Sequence, residues 1–94
     1  IINGRTMVPM RAIFEALGAE VEWVEEIQTI YAHLSPRMIS LKIDDPEMYI
    51  MDASLVGSGQ SQWIVSLDVP PMIIDGRTLV PARAVAEALK GKTI

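Results

Sequence analysis

Ile1-Ile2-Asn3-Gly4-Arg5-Thr6-Met7-Val8-Pro9-Met10-Arg11-Ala12-Ile13-Phe14-Glu15-Ala16-Leu17 returns as Ile73-Ile74-Asp75-Gly76-Arg77-Thr78-Leu79-Val80-Pro81-Ala82-Arg83-Ala84-Val85-Ala86-Glu87-Ala88-Leu89, and this repetition decides how the chain folds. Twelve of the seventeen pairs, set 72 residues apart, are identical. Each copy holds one threonine as its sole nucleophile and no histidine or cysteine, so what was duplicated is a folding unit rather than an active site.

Inside each copy the local chemistry is readable. Two β-branched residues precede Asn3-Gly4 or Asp75-Gly76, pairs that tolerate positive φ at both centres of a type I′ turn, so each predicts a tight hairpin. Pro9 and Pro81 are expected in a first helical turn, where φ is already suitable and no amide donor is needed. A short helix follows in both. Met10, Ile13, Phe14 and Leu17 fall at i, i+3, i+4 and i+7 in the first; Ala82, Val85, Ala86 and Leu89 take those places in the second. Gly18 and Gly91 are placed to end the two helices.

Between the copies the period becomes two. Strands are expected over Glu20 to Val24, Thr29 to Leu34, Met38 to Ile43, Met48 to Met51 and Trp63 to Val69. Glu25-Glu26, Asp44-Asp45-Pro46 and Pro70-Pro71 break them, and Gly57 to Gln62 reads as the most flexible loop. The fold class is α+β: an antiparallel sheet of about five or more strands carrying two short helices. Residues 1–94 form a single domain, with repeat halves at about 1–21 and 73–94 and a strand-rich middle at 22–72.

Bulk properties narrow the function. A chain of 94 residues supports only a modest core, which disfavours a deep catalytic cavity. The net charge is −4 and the basic residues are scattered, so the electrostatic footprint of a nucleic-acid binder is missing. No stretch is long and apolar enough to cross a bilayer. Absence of cysteine excludes disulfides and thiolate metal sites. The chain opens on Ile1 without an initiator methionine or signal peptide and is expected to be a piece of a longer protein.

Gly4 to Trp23, with Gly-Arg-Thr-Met-Val-Pro-Met-Arg at its start, and Leu67 to Arg83, with Gly-Arg-Thr-Leu-Val-Pro-Ala-Arg at its end, resemble the copper amine oxidase N-terminal-like domain, the stalk module of exported Gram-positive bacterial proteins. The resemblance is close at both ends and extends to the middle only in strand pattern; the insert at 44–62 departs from it. It implies a small β-rich accessory domain of secreted or cell-envelope proteins and does not imply oxidase chemistry; no cofactor is expected. In the oxidases that name the family, the cofactor arises from Tyr in an Asn-Tyr sequence and copper is held by three His. Here the only Asn, Asn3, precedes Gly4, and His33 is the sole imidazole.

A single His33 cannot make a copper site, and it reads as an ordinary strand residue. The thioethers of Met48 and Met51, with Met38 or Met72, are soft enough for Cu(I), but positions 48 and 51 of a strand point to opposite faces. Asp44, Asp45, Glu47 and Asp52 lack the spacing of a calcium loop and read as solvated turn residues. No metal is assigned.

Arg11 and Arg83 place cations in the first helical turn, against the helix dipole, and so require compensation. Glu15 and Glu87, four residues on, can pair with them. The favoured reading is a partly buried arginine fork tying helix to sheet; the alternative is an anion or glycan-acid site. Arg5 and Arg77 are expected to be exposed. Trp23, Tyr31 and Trp63 are candidates for a carbohydrate-stacking surface if two or more lie exposed on one face, and core residues otherwise.

The sequence thus predicts a non-catalytic extracellular or cell-envelope module with a structural or interaction role. Cell-wall polysaccharide binding is the alternative. Its partners are expected to be other domains of the same parent protein, that polysaccharide, or a second copy through strand pairing.

Overall fold

The computed structural model describes residue 4 and residues 6–90. Two antiparallel sheets and two helices make up the α+β fold. The elements run β1 (Met7–Pro9), α1 (Met10–Leu17), β2 (Glu20–Val24), β3 (Thr29–Leu34), β4 (Arg37–Lys42), β5 (Glu47–Asp52), β6 (Gln62–Ser66), β7 (Met72–Ile74), β8 (Arg77–Pro81) and α2 (Ala82–Lys90). The strand-rich middle is a five-stranded meander in the order β2-β3-β4-β5-β6. The repeats contribute a separate three-stranded sheet, β1-β8-β7.

That second sheet joins the two copies. Met7 faces Pro81, Val8 faces Val80 and Pro9 faces Leu79. Because residue n of one copy is residue n+72 of the other, each copy meets the other through the same segment, as in a self-complementary dimer interface. The amide of Ala82, which opens α2, donates to the carbonyl of Thr6 in the other copy at 3.0 Å.

The Asp75-Gly76 hairpin forms as its residues demand. Asp75 has φ 52° and Gly76 φ 75°, the paired positive values of a type I′ turn, and they connect β7 to β8. In the first copy the expected hairpin strand at Ile1-Ile2, with Asn3 and Arg5, lies outside the described residues, as does the Gly91 helix stop.

Pro9 and Pro81 do not stand in the first helical turn as expected. Pro9 closes β1 and borders α1 with ψ 133°, an extended value that its fixed φ permits equally well. Pro81 closes β8. Gly18 ends α1 in the left-handed conformation at φ 78°, and the amides of Gly18 and Ala19 satisfy the carbonyls of Glu15 and Phe14.

Strand alternation puts Ile30, Ala32, Ile39, Leu41, Met48 and Ile50 on one face of the meander, where all are buried. Both helices pack there: α1 meets β2, β1 and β8, and α2 meets β4 and β8. The two helices bury different faces, however. In α1, Met10 and Phe14 are buried while Ile13 and Leu17 are partly covered. In α2 the buried residues are Val85, Ala88 and Leu89, so Ala88 replaces the expected Ala82 and Ala86. An alanine at those two positions has little surface to bury, and α2 rotates to bring Val85 and Leu89 fully inward.

The last expected strand is shorter than its reading. It ends at Ser66, although Leu67 and Val69 remain buried as irregular chain. Their apolar character is satisfied by the core without ladder pairing.

Candidate functional site

The polar centre of the molecule is Arg37, which the sequence reading did not single out. It sits at the start of β4, opposite Asp52 at the end of β5, and the register puts both on the core face of the meander. Arg37 Nε donates to Asp52 Oδ2 at 3.0 Å, and one terminal nitrogen donates to the Ala88 carbonyl at 2.8 Å. The guanidinium carbon lies 4.9 Å from the centre of the Trp63 ring. Side-chain exposure is 19% for Arg37 and 8% for Asp52, so the pair is shielded from water.

Each contact has a physical cause. Ala88 belongs to the last turn of α2, where carbonyls lack intrahelical donors and the dipole favours a cation. Trp63 offers its π face to the same cation. Asp52 completes the set by accepting from the Ser54 amide at 2.9 Å and from the Ser54 hydroxyl. The Ser54 hydroxyl bond, with the Arg37 guanidinium, holds the Asp52 carboxyl below the ordinary aspartate range against the opposing effect of burial. Asp52 is therefore a buried structural carboxylate and not the solvated turn residue expected.

The helix-to-sheet arginine fork exists, but it is built from Arg37 rather than from Arg11 or Arg83. Arg83 pairs with Glu87 at 3.1 Å on the surface of α2, with 72% of the arginine side chain exposed. Arg11 and Glu15 are both exposed, and among the described residues Arg11 has no ion pair. Arg77 is exposed, as expected. Arg11 and Arg77 instead line one cleft together with Trp23, Pro9 and Thr78.

The three aromatic candidates do not form one platform. Trp23 on β2 and Trp63 on β6 lie on the core face at opposite edges of the meander, half-buried and packed against the core. Tyr31 alternates with Ile30 and Ala32 and so lies on the other face. The register there aligns Tyr31, Ser40, Tyr49 and Ile64 in one cross-strand row, and Tyr49 and Ile64 are exposed. Met38 and Met51, also exposed, oppose each other in the next row, where His33 faces Met38. Met48 is buried on the core face, as alternation requires. His33 Nδ1 lies 3.9 Å from Glu20, with 53% of the His33 side chain exposed. Asp44, Asp45 and Glu47 lie around the turn between β4 and β5, where Asp45 accepts from the Glu47 amide at 2.9 Å. Among the described residues no three His, Cys, Asp or Glu side chains gather as metal ligands.

This is an α+β accessory module whose most buried charged groups tie helix to sheet. It belongs to a known family: the model of the copper amine oxidase N-terminal domain matches residues 1–93, and that family is a non-catalytic accessory domain. A search of curated proteins returns no match. No helix among the described residues is long and apolar enough to cross a membrane.

Proposed function

We propose that the chain is an extracellular or cell-envelope stalk module, serving the protein that carries it by contact and spacing rather than by catalysis. The observation that carries this reading is the use made of Arg37 and Asp52. A buried, oriented ion pair is what an active site would place in a cleft; here every group it contacts is structural, a helix carbonyl, a serine in the 3-10 turn after β5 and a packed indole. Function then rests with exposed surfaces such as the open face of the meander. Replacing this domain in its parent protein by an unrelated rigid domain of similar length tests the reading. Retained parent activity and surface display support it. Turnover of a primary amine with peroxide release by the isolated domain supplied with Cu(II) would overturn it.

A further inference from the structure

The chain carries two related clefts, each formed where the turn of one repeat meets the helix start of the other. One is lined by Pro9, Met10, Arg11, Gly76, Arg77 and Thr78, together with Trp23. The other includes Pro81, Arg83, Gly4 and Thr6. Shifting Pro9, Arg11, Gly76 and Thr78 by 72 residues gives those same four positions. The clefts are therefore images of each other under the relation that pairs Val8 with Val80.

Their chemistry has diverged. In the second cleft Glu87 neutralises Arg83 at 3.1 Å, and Asp68 is a further acidic lining residue. In the first, Glu15 is no part of the wall, and no carboxylate is. Two exposed guanidiniums, Arg11 and Arg77, share a space of about 400 Å³ with an indole, and among the described residues neither has an ion-pair partner. In a protein of net charge −4 this is a local excess of positive charge that its own acids leave uncompensated. Arg11 moreover stands in the first turn of α1, which contains no acidic residue, so its cation also works against the helix dipole. Trp23 is fixed in place by its Nε1 bond of 3.0 Å to Glu25 and by packing against the core.

We propose that the Arg11–Arg77–Trp23 cleft binds a carboxylated saccharide, its carboxylate on the two guanidiniums and a sugar ring against the indole. A guanidinium fork matches the planar geometry of a carboxylate, and an amphipathic indole suits the apolar face of a pyranose. Glu25, exposed beside the ring, is an acceptor for sugar hydroxyls. The inference concerns a surface that the stalk reading leaves unused and stands independently of it.

The test follows the indole N–H resonances of the 94-residue chain by NMR, with Trp63 as the internal reference. The probes are a short oligogalacturonate, a neutral oligosaccharide of equal length, acetate and inorganic phosphate. The expected result is a saturable shift of the Trp23 signal with the oligogalacturonate and not with the neutral sugar. Arg11→Gln and Arg77→Gln should each weaken it roughly tenfold, while Arg83→Gln in the other cleft leaves it unchanged. Absence of a saturable shift, or binding indifferent to both arginine substitutions, would overturn the proposal. An equal response to acetate or phosphate would also overturn it, reducing the cleft to a general anion site. Unchanged amide spectra of the variants establish that they fold.

Discussion

Val8 lies directly opposite Val80, its own counterpart in the second repeat, at the centre of the β1–β8 ladder. Antiparallel pairing of equivalent strands is how a duplicated unit closes on itself, since any contact made by one copy can be made by the other. The two valines are nonetheless unequal: Val80 is fully buried and Val8 only half-buried. Val80→Ala is expected to cost about 2 kcal/mol and Val8→Ala about half of that, in proportion to the apolar surface each removes from the core. Urea unfolding of both variants checks the order; equal losses would contradict the packing difference.

Arg37 gives the sharpest stability prediction, because no other residue type can make its three contacts together. Lysine keeps the charge but loses the planar fork that serves Asp52 and the Ala88 carbonyl at once. Arg37→Lys should therefore lower the melting temperature by roughly 5 °C, and Arg37→Ala by more, since it strands Asp52. A lysine variant as stable as the parent would show that the fork contributes nothing beyond its charge.

The same ion pair sets a pH dependence. The folded-state pKa of Asp52 is depressed, the Ser54 hydroxyl being the leading cause. Below the unfolded aspartate value of about 3.9, the unfolded chain binds a proton that the folded one still refuses, so stability rises with pH there. The contribution is fully present above that value and is lost as pH falls through the lowered folded value. Asp52→Asn should be less stable at neutral pH and should flatten this part of the acid limb. An unchanged acid limb would show that Asp52 is not a source of it.

How much of this was legible in the sequence depends on how local each cause is. The strand Thr29–Leu34 was readable to the residue, because alternation and the turns on either side are local. The Asp75-Gly76 turn was readable for the same reason. The Arg37–Asp52 pair was not: the partners are 15 residues apart, and Ala88 lies a further 36 beyond Asp52, so only the β4–β5 register and the docking of α2 bring them together. Helical spacing alone could not choose between Ala86 and Ala88 for the buried face of α2, since both are alanine and the docking angle decides. The aromatic candidates failed to share a platform through parity, because Tyr31 is odd on a strand whose even positions face the core.

Self-association is the last prediction, and edge chemistry decides where it occurs. Among the described residues the meander ends in β2 on one side and β6 on the other. β2 carries Glu20 and Glu22 on its outward face, and like charges brought together by a second copy would repel. β6 reads Gln62-Trp63-Ile64-Val65-Ser66, with no charge, no proline and an Ile64 that is 54% exposed. Such an edge has none of the usual guards against pairing. Two copies meeting antiparallel through β6 would join their meanders and cover Ile64. Light scattering across a tenfold dilution series should show a mass moving from dimer toward monomer, and Ile64→Lys should hold the chain monomeric throughout. Dimers that survive this substitution would move the contact away from β6, and a strictly monomeric parent at high concentration would remove it altogether.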